Sequence, residues 1–365
     1  MALKCGLVGL PNVGKSMLFN GLSNGNAPSA NFPFCTIEPN LGIVIVPDSR
    51  MELLARLAQS KNSIPAIIEF VDIAGLVKDA HQGEGLGNKF LSHIREVDAI
   101  VHVIRCFEDK DVLHVAGGVD PVFDKQVIDH ELRCKDIDSL TKRLNKMEQF
   151  AKHPSKTSQD GYKLLNLFLT ALKQGRNGRD IRVTASDQPL VDDWQLLTSK
   201  PVIYFANVDE ATMLGHNNPH LSALQKAIAE ENSQMIVGST ALEIQLNGLS
   251  SEEKDFILQT YKLKTSTLDT LIQSAYSLLQ LITYFTVGPQ EVRAWTIQNG
   301  TKAPEAAGVI HTDFQRGFIK AEVIAFEDYQ TYKSVHGCRE AGKLRIEGKD
   351  YIVQDGDVML FRFNV

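Results

Sequence analysis

The sequence predicts a doubly wound α/β domain, interrupted by a helical coiled-coil arm and followed by a small α+β domain. Three observations carry that prediction. An apolar run at 3–8 enters Gly9-Leu10-Pro11-Asn12-Val13-Gly14-Lys15-Ser16 and then a helical pattern (Met17, Leu18, Phe19, Leu22), the strand, loop and helix of a phosphate-binding loop. Short buried-strand runs alternate with helical patterns from there to residue 241. Between 127 and 199 the apolar spacing changes to three- and four-residue steps, and beyond 281 short strands surround one helix.

Bulk properties bound the function. A chain of 365 residues should hold two or three domains, divided here as 1–126 and 200–280 for the two parts of the phosphate-loop domain, 127–199 for the arm and 281–365 for the C-terminal domain. Lys and Arg number 38 against 44 Asp and Glu, a net charge of −6, so the overall field does not draw in nucleic acid, although 127–199 alone is slightly basic. No apolar run is long enough to span a bilayer and no charged leader precedes the first strand, so a cytoplasmic protein without membrane contact is expected. Five widely spaced cysteines without a C-x-x-C pair suggest reduced thiols, with neither a disulfide frame nor a zinc site.

Taken in order, each element has a local reason. The loop glycines let the backbone wrap a phosphate, the helix N-terminus faces the anion, Lys15 adds charge and Ser16 offers its hydroxyl to magnesium. Residues 31–40 are rich in turn formers, a loop from which Thr36 could supply magnesium with a second hydroxyl. A strand at 41–46 follows, and another at 67–71 ends in Asp72-Ile73-Ala74-Gly75. An acid at a strand's carboxyl end suits a magnesium ligand acting through water, and the Gly75 N–H can face a γ-phosphate. Gly83, Gly85 and Gly87 give the next stretch the flexibility of a switch. The strand at 99–106 carries His102 among β-branched residues, the setting of a core histidine, while His114 falls on the loop at 111–118.

The arm begins at Val127, breaks at His153-Pro154-Ser155 and returns through a stripe of Tyr162, Leu165, Phe168, Leu169 and Leu172. The strand at 201–206 ends in Asn207-Val208-Asp209-Glu210, amide and carboxylate groups suited to reading a purine edge. A helix at 221–231 and a strand at 235–237 close on Gly238-Ser239-Thr240-Ala241. After an apolar helix at 268–279, strands are expected at 284–287, 292–297, 321–324, 350–353 and 358–363, around one helix near 306–314. That last domain offers no acid–base pair, metal cluster or nucleophile.

The phosphate loop, Phe32-Pro33-Phe34-Cys35-Thr36-Ile37-Glu38-Pro39-Asn40, Asp72-Ile73-Ala74-Gly75-Leu76-Val77 and Asn207-Val208-Asp209-Glu210 together resemble the YchF/Obg-like ATPase family of P-loop proteins. The segment 347–358 is similar to that family's TGS domain, a β-grasp module. The resemblance implies a G-type domain with a preference for ATP. G-type GTPases carry Asn-Lys-x-Asp, whose Asp accepts the guanine N–H donors; Val208 and Glu210 replace its Lys and Asp here. Adenine presents an acceptor at N1 where guanine has a donor, so specificity should relax or reverse.

The resemblance also assigns roles. Asn12, Val13, Gly14, Lys15, Ser16 and Met17 would hold the phosphates, with Asn207, Val208, Glu210 and Ser239 around the base. Ser16, Thr36 and Asp72 would hold magnesium, and Asn12 matches an asparagine that supports potassium in stimulated relatives. Leu76 stands where Ras-like enzymes have a water-positioning glutamine, so hydrolysis would rest on Lys15, Gly75 and a substitute, His114. The implied partners are ATP and the ribosome or its large subunit, met through ribosomal RNA, by a monomer. A true GTPase and a ribosome-binding adaptor with incidental turnover remain open beside it.

Overall fold

The computed structural model describes residues 3–25, 40–73, 86–112, 114, 117–150, 156–231 and 233–364. The chain forms two compact units, one of Met1–Gly42 with Glu69–Leu271 and one of Ile43–Ile68 with Ile272–Val365. In chain order the strands are β1 (Lys4–Val8), β2 (Leu41–Ile45), β3 (Asn62–Ile64), β4 (Ile67–Asp72), β5 (Ala99–Arg105), β6 (Val202–Asn207), β7 (Gln234–Gly238), β8 (Leu281–Val287), β9 (Glu291–Gln298), β10 (Phe318–Ile324), β11 (Arg345–Glu347) and β12 (Val358–Phe363).

The first sheet has the order β2-β4-β1-β5-β6-β7, with β1 parallel to β4 and β5, and β6 parallel to β5 and β7. Every residue of β5 and β6 is buried. That is why Ala-Ile-Val-His-Val-Ile-Arg and Val-Ile-Tyr-Phe-Ala-Asn read as continuous runs: a parallel sheet covered on both faces has no solvent side to mark with polar residues. The register pairs Leu7 with Asp72, Arg105 with Asn207 and Asn207 with Gly238, so the strands end at one edge.

The arm's first helix is Pro121–Phe150, starting earlier than residue 127. Asp120 explains the early start. Its carboxylate accepts from the N–H groups of Val122 and Phe123 at 3.1 and 3.0 Å, and Pro121 needs no N–H partner there. The return helix is Lys156–Lys173; the expected break at 153–155 lies outside the described residues. Leu140, Leu165, Phe168 and Leu172 share a core with Val191 and Trp194, and Phe168 meets Trp194 edge-on at 5.4 Å. Asp136 then secures the chain's return to the sheet by accepting from Leu197 N, Thr198 N and Thr198 Oγ1 at 2.9, 2.8 and 2.6 Å.

A buried ionic cluster lies at the base of this long helix. Lys125 Nζ meets Asp129 at 2.7 Å and Glu231 at 2.6 Å, while Arg179 reaches Asp129 at 3.2 Å. The Tyr204 hydroxyl donates to Glu231 at 2.6 Å. His102, as its apolar neighbours suggested, is a core residue, 5.7 Å from the Tyr204 ring.

The second unit is built on a mixed sheet, β11-β10-β12-β8-β9-β3, in which β12 runs parallel to β8. The helix Ala303–Ile310 contributes Ala303, Ala306 and Ala307 to a core with Tyr284, Phe318 and Phe361, the sheet-and-helix arrangement expected of a β-grasp module. Three details differ from the sequence expectation. Residues 43–68, assigned to the phosphate-loop domain, cluster with this unit although their ends lie in β2 and β4 of the first sheet; within them β3 pairs in parallel with β9 at the sheet edge. The helix at 306–314 is two, divided at His311, whose extended backbone (φ −161°, ψ 143°) stops the first and whose ring caps Thr312–Arg316. No strand forms at 350–353, where Ile352 makes only an isolated bridge with Lys302.

The buried His102 predicts an acid sensitivity. Burial lowers the His102 pKa from 6.5 to about 4, so the unfolded chain binds the extra proton and stability falls with pH between those values. Asp129, held down to about 2 by Arg179 and Lys125 against its burial, adds a loss only below its ordinary pKa of 3.8. Urea unfolding at pH 7 and 4.5 should show a loss on the order of 2 kcal/mol that His102→Leu largely removes.

Candidate nucleotide-binding site

The site grows from the turn between β1 and the helix Lys15–Gly25. Asn12 (φ +64°) and Gly14 (φ +93°) are left-handed, which curls the backbone into a loop. Gly14 is constrained twice, since a Cβ there would run into the Asn207 side-chain amide and come within 3.1 Å of Thr240 Oγ1. Asn207, the last residue of β6, donates from Nδ2 to the Val13 carbonyl at 2.9 Å and accepts from the Thr240 N–H at 3.0 Å. The residue expected at the base thus ties the phosphate loop to the turn after β7.

Lys15 is nearly buried and forms an ion pair with Asp72 at the end of β4. Ser16 Oγ lies 3.5 Å from the other Asp72 oxygen. A hydroxyl and a carboxylate side by side are hard oxygen donors that fit magnesium. Thr36 and Gly75, expected at the same place, lie outside the described residues, as does Leu76.

A cavity of about 920 Å³ opens above the loop, and its walls include Asn12, Gly14, Lys15, Ser16 and Met17. Val208, Glu210 and Ser239 line it too, as does Asn207. The Val208 N–H donates to Gly238 O at 2.9 Å, and Ser239 caps Thr240–Leu246 by accepting from the Leu242 N–H at 3.4 Å. Glu210 is held from outside the cavity wall: Gln245 Nε2 donates to one of its oxygens at 3.0 Å and the Tyr261 hydroxyl to the other at 3.2 Å. Val13 contributes its carbonyl and keeps its side chain buried.

His114 is not among the residues that line the cavity. Its ring Nε2 sits 2.9 Å from Asp124 Oδ2, with both side chains buried. Burial pushes the Asp124 carboxyl up, against the opposing effect of His114.

Sequence reasoning missed Arg105. Fully buried at the end of β5, it donates from Nε to Phe107 O at 3.0 Å, from Nη1 to Val112 O at 3.1 Å and from Nη2 to Asp109 O at 3.4 Å. The loop it gathers contributes Phe107, Glu108, Asp109 and Val112 to the cavity wall. The available signal was an arginine ending an otherwise apolar strand, a cation that must find acceptors when buried.

A phosphate loop after the first strand, a lysine and an acid at adjacent strand ends, and a base-side wall at the end of β6 define a P-loop nucleotide-binding protein of the G-domain type. Comparisons agree. The family MMR_HSR1, described as a 50S ribosome-binding GTPase, matches residues 4–153, and YchF-GTPase_C, described as a protein of unknown function, matches 281–364. Curated relatives named Ribosome-binding ATPase YchF are 49% identical in Bacillus subtilis and 47% identical in Escherichia coli O157:H7, covering 100% of both chains in each case. The solved YchF GTPase of Schizosaccharomyces pombe is 38% identical, with a TM-score of 0.90, over 99% of this chain and 97% of that one. The chain belongs to the YchF family.

Arg105→Met keeps the bulk and removes all three donors. It should lower stability by about 3 kcal/mol and weaken ATP and GTP analogues alike by about tenfold, read by urea unfolding and calorimetric titration.

Proposed function

We propose that this chain is a magnesium-dependent ATPase that works as a slow nucleotide switch on the ribosome, as a cytoplasmic monomer. The observation that carries the reading is the base side of the cavity. Val208 and Glu210 stand where a GTPase has Lys and Asp, and the Glu210 carboxylate is engaged by Gln245 and Tyr261. A carboxylate so held has to leave Gln245 and Tyr261 before it can turn to guanine N1–H and N2–H. The relatives matched over their full length are named as ribosome-binding ATPases, which supports both ATP and the ribosome.

In this reading, Lys15 exchanges Asp72 for the phosphates, and the loop amides and the helix N-terminus cradle them. Ser16 and Asp72, with Thr36, hold magnesium, which when bound neutralises charge on the phosphates. Asn12 offers its side chain to potassium, and Gly75 senses the γ-phosphate. With leucine at position 76, water must be oriented by another group, and His114 serves once it leaves Asp124. The arm and the C-terminal unit meet the ribosome, the slightly basic 127–199 stretch contacting RNA phosphates.

Titration with non-hydrolysable analogues in magnesium and potassium should show the ATP analogue binding at least about tenfold tighter than the GTP analogue. Equal or tighter GTP binding overturns the ATP assignment and leaves the adaptor or GTPase readings. His114→Ala should lower kcat about a hundredfold while changing analogue affinity less than about twofold. Unchanged turnover would remove His114 from the mechanism. Ribosome cosedimentation that ignores nucleotide state would favour the adaptor.

A further inference from the structure

Glu210, at the base side of the cavity, has both carboxylate oxygens hydrogen-bonded to residues outside the phosphate and strand framework. The donors come from two separate elements, Gln245 in the helix Thr240–Leu246 and Tyr261 just after the helix Ser251–Thr260. We propose that Gln245 and Tyr261 are the specificity-determining residues of this site: by tethering Glu210 they keep its carboxylate from reaching the base, and so select adenine over guanine. The inference rests on the ATP reading above and deepens it.

The chemistry follows from what each purine presents. Guanine offers N1–H and N2–H, two donors that a free carboxylate would accept together. Adenine offers a lone pair at N1, which a free carboxylate would repel. A glutamate is one methylene longer than the aspartate of a GTPase, but length alone does not remove the acceptor. The tether acts by position, because an amide donor at 3.0 Å and a phenol donor at 3.2 Å, one on each oxygen, hold the carboxylate toward Gln245 and Tyr261. Burial and then Glu210 itself raise the Tyr261 pKa, so the phenol stays protonated and remains a donor across the physiological range. Gln245 and Tyr261 are not among the residues that line the cavity, so they act through Glu210 as positioning residues.

The test compares the full-length protein with Gln245→Ala, Tyr261→Phe, the double variant and Gln245→Glu, each titrated with non-hydrolysable ATP and GTP analogues in magnesium. Inorganic triphosphate serves as a probe of the phosphate loop alone. Freeing Glu210 should shift the ATP-to-GTP affinity ratio toward GTP by about tenfold in the double variant, with triphosphate binding unchanged. Gln245→Glu, which sets a second carboxylate beside the first, should shift the ratio the same way. An ATP preference that survives the double substitution overturns the tether alone. Equal weakening of both nucleotides and of triphosphate also overturns it, as a merely structural role would. A GTP preference in the unmutated protein overturns the ATP reading and the tether together.

Discussion

Parallel pairing in a fixed register is the constraint on which the nucleotide site depends. With Leu7 opposite Asp72, Arg105 opposite Asn207 and Asn207 opposite Gly238, five strands end at one edge of the sheet. A slip of one residue in any of them would turn its terminal side chain to the other face. Asn207 converts that register into a shaped loop. Its two hydrogen bonds join Val13, at the phosphate turn, to Thr240, beyond the last strand of the sheet, and Gly14 leaves it the room to do so.

Charge is handled in two different ways on either side of that edge. At the site, Lys15 and Asp72 neutralise one another in a partly buried pair. Beneath the arm, Lys125, Asp129, Arg179 and Glu231 form a closed cluster with the Tyr204 hydroxyl. Such a cluster fixes orientation more than it adds stability, since desolvation offsets much of the attraction. Asp136, farther along the long helix, holds the chain's return.

The buried thiols fit the same picture. Cys5 and Cys106 lie inside the first unit, and burial pushes both up to about 12, which leaves them unreactive. Both side chains are part of the packed interior.

The sequence by itself determined the phosphate loop, the strand runs of the first sheet, the helical arm, the acid at the end of β4 and the family. Each of these is written in a local pattern, where a period of two or of 3.6 residues, or a glycine at a forced turn, reports a neighbour a few positions away. The membership of 43–68 in the second unit was not legible, because the partner of β3 is β9, more than two hundred residues on. The same holds for Asn207 as a brace, for Arg105 as the organiser of the 107–112 loop and for His114 against Asp124. Glu210 shows the division most plainly. The sequence shows a glutamate where G-type GTPases carry aspartate, but only the tertiary structure, by bringing Gln245 and Tyr261 to its two oxygens, decided where its carboxylate is held.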